Sequence, residues 1–259
     1  MTIQQVAEAL EKYAPLPLQE GYDNAGLQIG LTASACSGAL LCLDVTEDVV
    51  LDAHRRGYNL IVSHHPLLFR GVKCIADQGT VERSLRLAIE RGIAVYAAHT
   101  NLDNVGDGVN AEICRRLGLQ HSRVLQPLPD GENGSGRIGE LPQDMSAADA
   151  LRLIKTTFRA GCVMHNAGPQ RPIRRIAVCG GSGDFLIGAA IAQGADLFLT
   201  GEIGYHQFFG YERQLWLAAI GHYESEQFTP HLLQRIIAAA CPALPTAIYQ
   251  RTTNPILYL

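Results

Sequence analysis

Histidines and carboxylates stand directly after three short apolar runs of this 259-residue sequence. The first group is His64 and His65, which follow one such run and precede Pro66. Neighbouring residues of a strand point to opposite faces, so adjacent histidines can share a site only where the chain leaves the strand. Pro66 imposes an extended or turning backbone on His65, so the pair could serve two different ions. The alternative interpretation is a pair of histidines that are hydrogen-bonded within the protein or lie on its surface.

The second group contains His99 and Asp103, again just after an apolar run. A carboxylate has two oxygens and can bridge two cations that lie about 3.5–4 Å apart. The alternative for Asp103 is a turn or a helix N-cap, because Gly106 and Gly108 follow it. Asp103 is therefore a candidate bridging ligand.

The third group lies between Gly221 and Glu226. His222 and Glu226 are four residues apart, so on a helix they share one face, with their Cβ atoms about 5–6 Å apart. That spacing suits a metal site with one nitrogen and one oxygen ligand. Glu224 lies elsewhere on such a helix and is expected to face solvent. For Glu226, which precedes a longer predicted helix, capping is the alternative.

Together the three groups favour a metal centre over the three separate alternatives. Ligands of open α/β sheets gather outside the carboxyl ends of the strands, and these ends share one rim. Three imidazoles and two carboxylates suit a hydrolytic pair of divalent ions, and Zn, Mn and Fe are all compatible. Cysteine lies in none of the groups, which disfavours ions that prefer thiolate. The predicted metal ligands are His64, His65, Asp103, His222 and Glu226.

The elements that must position these groups alternate between strands and helices. Apolar runs predict strands at residues 39–43, 60–62, 93–98, 176–179, 197–199, 216–220 and 247–249. Helices are predicted at residues 46–56, 80–91, 108–117, 145–159, 185–193 and 227–240, after an amphipathic N-terminal helix. Such alternation is typical of a largely parallel sheet covered on both faces. Residues 126–140, rich in Pro and Gly, are expected to form a loop or an interdomain connection.

The sequence resembles itself when Gly57 is aligned with Gly194. Residues 39–46 then lie on 176–183, and residues 60–65 lie on 197–202. With a shift for a shorter connection, Asp103 is paired with Glu226. Chance similarity between two βαβ units is the alternative explanation.

From this repeat we expect an α/β fold of two similar α/β halves. The first half is residues 1–125 and the second is residues 126–259, with a C-terminal segment that could pack back on the first. Mixed sheets covered by helices and a metal cleft between the halves complete the predicted architecture.

Composition and charge argue against several classes of protein. The formal net charge is −4 with no basic run, so electrostatics does not suggest a nucleic-acid partner. The seven cysteines are widely spread without a CxxC pair, which is typical of reduced thiols in the cytoplasm. The N-terminus lacks the pattern of a signal peptide, and no apolar run approaches the roughly 20 residues that span a bilayer. We therefore expect a cytoplasmic protein without a membrane partner.

Four motifs, in this order, resemble those of the Nif-three-like family, whose members are often labelled GTP cyclohydrolase I type 2 homologues. They are SHHPLLF from Ser63, AHTNLD from Ala98, TGEIGYH from Thr200 and GHYESE from Gly221. The segment 22–30 also resembles that family's DNxGLQxG signature, so the resemblance covers nearly the whole chain. It implies two similar α/β domains, a two-metal centre and a toroidal homohexamer (a trimer of dimers) with the metals facing the inner cavity. Residues 125–172 are too short for the inserted domain of longer relatives.

The resemblance also implies roles for individual residues. It places the metal ligands at the five positions named above, and it puts His99, Glu202 and His206 on motif positions that face substrate or support the ligands. The leading hypothesis is a metal-dependent hydrolase with His99 or His206 as general acid or base. Glu202 would then orient His222 through the second ring nitrogen.

The substrate of such a hydrolase would be a nucleotide or another phosphorylated small molecule, with GTP ring opening as the version in the family label. The alternative from another class is a non-catalytic metal-binding or scaffold hexamer that stores or delivers ions or docks partners. A third hypothesis, a ring threaded by DNA, is disfavoured by the acidic net charge.

Overall fold

The computed structural model describes residues 1–30 and 32–259, and its internal contacts divide the chain into two units. Unit 1 comprises Met1–Leu102 and Thr229–Pro255, and unit 2 comprises Asp103–Phe228 and Ile256–Leu259. Each unit contains one mixed β-sheet with helices packed on it. The α/β class predicted from the sequence is therefore confirmed. The division into two halves at residues 125 and 126, which was predicted from the internal repeat, remains a prediction.

The strands are β1 Gly26–Ile29, β2 Ala39–Cys42, β3 Leu60–Ser63, β4 Ala94–Ala97, β5 Gln120–Pro127, β6 Gly134–Met145, β7 Met164–His165, β8 Ile173–Ser182, β9 Leu197–Glu202, β10 Trp216–Ala219 and β11 Thr246–Ile248. The α-helices are α1 Ile3–Tyr13, α2 Glu47–Arg55, α3 Thr80–Glu90, α4 Thr100–Asn104, α5 Val109–Leu117, α6 Ala147–Thr157, α7 Ile187–Ala192, α8 His222–Glu226 and α9 Thr229–Ala240. None of the helices in the described part of the chain combines the length and apolar character that a bilayer crossing requires.

The sheet of unit 1 has the strand order β1-β4-β3-β2-β11. Strands β4, β3, β2 and β11 are parallel neighbours, and β1 is antiparallel to β4. Every residue of β2, β3 and β4 is buried, as expected for parallel strands covered on both faces. Helix α2 begins after Thr46, whose hydroxyl accepts from the Val49 N–H, and it buries Val49, Val50 and Ala53 in the core of the unit.

The sheet of unit 2 has the strand order β5-β6-β8-β9-β10-β7. Strands β8, β9 and β10 are parallel, while β5, β6 and β7 pair antiparallel with their neighbours. Leu125, Ile138, Ala177, Phe198 and Leu217 belong to the buried apolar cluster of this unit. This apolar cluster packs on the sheet and fixes the position of β8 and β9 in unit 2.

The prediction of a loop or interdomain connection at residues 126–140 is wrong for most of the segment, because β5 and β6 form an antiparallel hairpin there and only residues 128–133 connect them. The turn between them is closed by Asp130, whose Oδ1 accepts from the N–H groups of Glu132 and Asn133 at 3.0 and 2.9 Å. Gly136 lies inside β6 with φ +64°, and a Cβ there would lie 2.9 Å from a backbone oxygen of β8. Glycine in this segment thus permits close strand packing and does not interrupt the strand.

Candidate metal centre

In unit 1, three histidines lie at one edge of the sheet. His64 and His65 directly follow β3, and His99 follows the parallel neighbour β4. The ring centroids are 4.9 Å apart for His64 and His65, 5.4 Å for His64 and His99, and 5.6 Å for His65 and His99. We call these three residues the histidine cluster. Parallel strands bring it together because their carboxyl ends share a rim.

Every ring of the histidine cluster is held through its Nδ1 atom. The acceptors are the carbonyl oxygen of Ala98 for His64 at 2.8 Å, Asp44 Oδ1 for His65 at 2.7 Å and Asp23 Oδ1 for His99 at 2.7 Å. A carbonyl or an ionised carboxylate can only accept, so Nδ1 carries the proton in each ring. In the neutral ring the lone pair is then on Nε2, which is the tautomer that can bind a metal or accept a proton.

Asp44, which orients His65, is a functional residue that the sequence interpretation missed. Its second oxygen accepts a hydrogen bond of 2.6 Å from the hydroxyl of Thr253, so both carboxylate oxygens are engaged. Burial raises the pKa of Asp44, but the hydrogen bonds and the charge of His65 outweigh burial and hold it below its ordinary value. Its position was a usable signal, because Asp44 closely follows the apolar run of β2 just as the histidines follow β3.

Asp23 supports His99 and the start of α4. One carboxylate oxygen accepts from His99, and the other accepts from the backbone N–H and the hydroxyl of Thr100. Burial alone would raise the pKa of Asp23, but these hydrogen bonds and the charge of His99 lower it to about 2. The carboxylate is therefore ionised at neutral pH.

The low pKa of Asp23 predicts a pH-dependent contribution to stability. Because the pKa is about 2 in the folded chain and the ordinary value is 3.8, the ionised carboxylate stabilises the fold above about pH 4. We expect Asp23→Asn to reduce the free energy of unfolding by about 1 kcal/mol at neutral pH after allowance for screening. That difference should shrink as the pH falls from 4 towards 2. Urea unfolding of both proteins over this range measures it, and a difference that did not change with pH would contradict the assignment.

In unit 2, the short helix α8 carries His222 and Glu226 on one face. His222 Nε2 lies 3.2 Å from Glu226 Oε2, and His222 Nδ1 lies 3.4 Å from Glu202 Oε1. The Glu226 side chain is 3% exposed, whereas Glu202 is exposed. The imidazole therefore lies between two carboxylates, one of them removed from water.

Glycines in β8 and β9 make room for the helix α8 that carries these two residues. Gly181 has φ +64°, and a Cβ there would lie 2.6 Å from Glu226 Oε1. A Cβ on Gly201 would lie 3.0 Å from His222 Cα. The Gly181 N–H also donates to Ser225 Oγ at 3.0 Å, and that hydroxyl donates to the His222 carbonyl oxygen at 2.7 Å. Glycine at 181 and 201 is thus required by the close approach of α8.

Asp103 lies half-buried in α4 and belongs to the same unit. The buried Asn110 donates to the Asp103 carbonyl oxygen at 3.1 Å and accepts from the Gly180 N–H at 3.0 Å. Burial raises the pKa of the Cys179 thiol well above its usual value, and the charges of Asp103 and Glu226 raise it further. Both predicted carboxylate ligands therefore lie close enough to one buried thiol to affect it.

Two further residues of the sequence prediction are His206, which is exposed, and Glu224, which is buried. His206 is exposed in the short 3-10 helix Tyr205–Phe208, and within the described chain its ring contacts are with Tyr205 and Phe209, at centroid distances of 5.1 and 6.4 Å. Glu224 is 6% exposed, so the expectation that it faces solvent is wrong. The reason is that α8 packs on both β8 and β9, which leaves little of this short helix in contact with solvent.

Each unit offers side chains of the kind that binds a metal ion. They are His64 and His65 in unit 1 and Glu226 in unit 2. Imidazole nitrogen and carboxylate oxygen are compatible with Zn, Mn or Fe. Each of these residues could therefore serve as a metal ligand.

Comparison with known proteins gives consistent matches along the whole chain. The sequence profile of the family Duf34/NIF3 (NGG1p interacting factor 3) matches residues 1–255. The GTP cyclohydrolase 1 type 2 homolog of Clostridium perfringens is 36% identical over 228 residues, which cover 87% of this chain and 87% of that protein. A hypothetical protein of Staphylococcus aureus has a solved structure with TM-score 0.92 and 27% identity, covering 100% of this chain and 99% of that one. A Bacillus cereus protein related to NIF3 shares the fold, with TM-score 0.89, 23% identity and coverage of 100% and 99%.

Proposed function

Since the chain belongs to the Duf34/NIF3 family, we propose that it is a metal-dependent hydrolase that binds two divalent cations. The proposed ligands are His64, His65, Asp103, His222 and Glu226. The observation that carries the proposal is the common tautomer of the histidine cluster, in which an acceptor on each Nδ1 leaves the lone pair on Nε2. Three independent acceptors that impose one tautomer are what a metal-binding and proton-transferring site needs.

The donor set fits hard or borderline divalent ions. All five proposed ligands offer imidazole nitrogen or carboxylate oxygen, which suits Zn, Mn or Fe. Cys179 is the thiol near the carboxylates, but burial and the two negative charges raise its pKa and keep it protonated. Divalent cations bound here would supply the Lewis acidity that makes water a nucleophile near neutral pH.

Within this proposal His99 is the proton acceptor of the reaction. Asp23 holds its Nδ1–H, so Nε2 is available to take a proton from the attacking water and return it to the leaving group. Glu202 would help to orient His222, since its oxygen lies 3.4 Å from His222 Nδ1. His206, which is exposed, stays the alternative general acid. The proposed substrate is a nucleotide or another phosphorylated small molecule. GTP is the first compound to assay, because relatives of this chain are labelled GTP cyclohydrolase 1 type 2 homolog.

Assay of the metal-loaded protein against nucleotides and sugar phosphates tests this function. We expect turnover of at least one compound, and a loss of about 100-fold or more in kcat for His99→Ala with its metal content unchanged. His54→Ala is the matched control, because His54 is an exposed histidine of α2 outside the site and should keep full turnover. Bound metal without turnover of any compound would refute the hydrolase and favour metal storage or a scaffold role.

A further inference from the structure

A cavity of about 550 Å³ lies in unit 1 beside the histidine cluster. Pro66, which follows His65, and Phe69 both line it. The Phe69 ring is perpendicular to the His99 ring, with centroids 6.0 Å apart. The cavity therefore begins one aromatic ring away from the proposed proton acceptor, and its volume is in the range of small-molecule sites.

Two cations line this cavity without a carboxylate partner. Arg70 and Lys73 are exposed, and neither forms an ion pair in the described residues. Several other arginines of this unit are paired, as Arg56 is with Asp52 and Arg83 with Glu47. Two unpaired cations on one loop give the cavity a local positive charge in a protein whose net charge is −4.

The cavity also has one carboxylate, Glu82, in the first turn of α3. Its Oε2 occupies the space that a Cβ on Gly79, the N-cap residue, would fill. The carboxylate thus lies over the helix N-terminus, where the N–H groups and the helix dipole favour a negative charge. Glu82 lies against the start of its own helix, and within the described residues it forms no ion pair with Arg70 or Lys73.

The aromatic ring of Phe69 lines the same cavity as the two cations and packs against a second ring. Tyr22 and Phe69 pack edge to face with ring centroids 6.3 Å apart, and they are 68% and 43% exposed. Exposed rings beside cations are the combination that binds a flat base together with a phosphate. This pair of rings is next to His99, because the Phe69 ring contacts both Tyr22 and His99.

We propose that this cavity binds the substrate as a nucleotide, with Arg70 and Lys73 on the phosphate and Phe69 against the base. The inference rests on the proposed hydrolase function and specifies its substrate class. Phosphate contacts at the two cations would anchor the nucleotide beside His99.

Protection of Cys74 from alkylation tests the site without any need for turnover. Cys74 lines the cavity and is exposed, and Cys162 is an exposed cysteine of unit 2 that serves as internal reference. With the metal-loaded full-length protein and iodoacetamide, we expect GMP to slow the alkylation of Cys74, read by mass spectrometry, and to leave Cys162 unchanged. Guanosine, which lacks the phosphate, should need at least about tenfold higher concentration for the same protection.

The variant pair Arg70→Ala/Lys73→Ala should raise the GMP concentration for half-protection by about tenfold or more. The matched pair Lys12→Ala/Arg91→Ala removes the same two charges elsewhere on unit 1 and should keep the wild-type value. Absence of Cys74 protection in the wild type, or an equal shift in both variant pairs, would overturn the proposal. If only the hydrolase function were wrong, GMP would still protect Cys74, but no nucleotide would be turned over.

Discussion

The Glu226→Gln variant should lose at least one of the two metal ions that we expect in each wild-type chain. The Glu226 carboxylate is 3% exposed and lies 3.2 Å from His222 Nε2, and it could serve as a metal ligand. An amide has nearly the same shape but no charge, so it is a much weaker ligand for a divalent cation. Elemental analysis of both proteins, purified without chelator, measures the difference.

The control for this variant is Glu224→Gln in the same short helix. Glu224 is also buried, at 6% exposure, so its replacement makes the same change from carboxylate to amide within α8 without altering a proposed ligand. We expect Glu224→Gln to keep the wild-type metal content. An equal loss in both variants would mean that the metal content reports the packing of α8 and not ligation by Glu226.

The Gly181→Ala variant should lose both stability and metal affinity. At φ +64° an alanine costs about 1–2 kcal/mol of backbone strain, and its Cβ would also lie 2.6 Å from Glu226 Oε1. The carboxylate must then move, so we expect metal affinity to fall by about tenfold or more, as for other residues that position ligands. Urea unfolding measures the stability, and competition with a chromophoric chelator measures the affinity.

Gly118→Ala separates strain from ligand displacement in this experiment. Gly118 ends α5 with φ +67° in the same unit, and a Cβ there would meet no atom within 4 Å. It should lose a similar free energy of unfolding and keep wild-type metal affinity. Unchanged metal affinity in Gly181→Ala would show that Glu226 is not held where the structure places it.

The candidate residues could be named from the sequence because each one follows an apolar run at a strand end. In a sheet with parallel neighbours, such ends share an edge, so local sequence order is enough to bring His64, His65 and His99 together. The spacing of His222 and Glu226 likewise predicts a shared helix face, and the structure has a helix there. These inferences rest on short-range periodicity, which a single sequence records well.

The side chains that orient the candidates could not be assigned in the same way. Asp23 accepts from His99 across 76 residues of sequence, and Thr253 reaches Asp44 across 209. No periodicity connects such positions, because only the folded chain brings them together. The requirement for glycine beside α8 could not be predicted either. Gly181 is needed only because Glu226 packs against it in the folded chain.

The hairpin of β5 and β6 shows the opposite failure, in which a local rule was applied too strongly. Glycine and proline usually occur in the turns and loops between helices and strands, so residues 126–140 were expected to be a connection. In the fold, Gly136 and Gly139 lie within β6, where a Cβ would meet neighbouring atoms at about 3 Å. Close strand packing selected these glycines, and that requirement is not visible without the partner strands.

Metal content per chain is the measurement that tests the central claim most directly. Protein purified without chelator should contain close to two transition-metal ions per chain by elemental analysis, and the double variant His64→Ala/His222→Ala should contain clearly fewer. Absence of metal from the wild type, even after reconstitution with Zn, Mn and Fe, would contradict the metal centre and the hydrolase proposed from it.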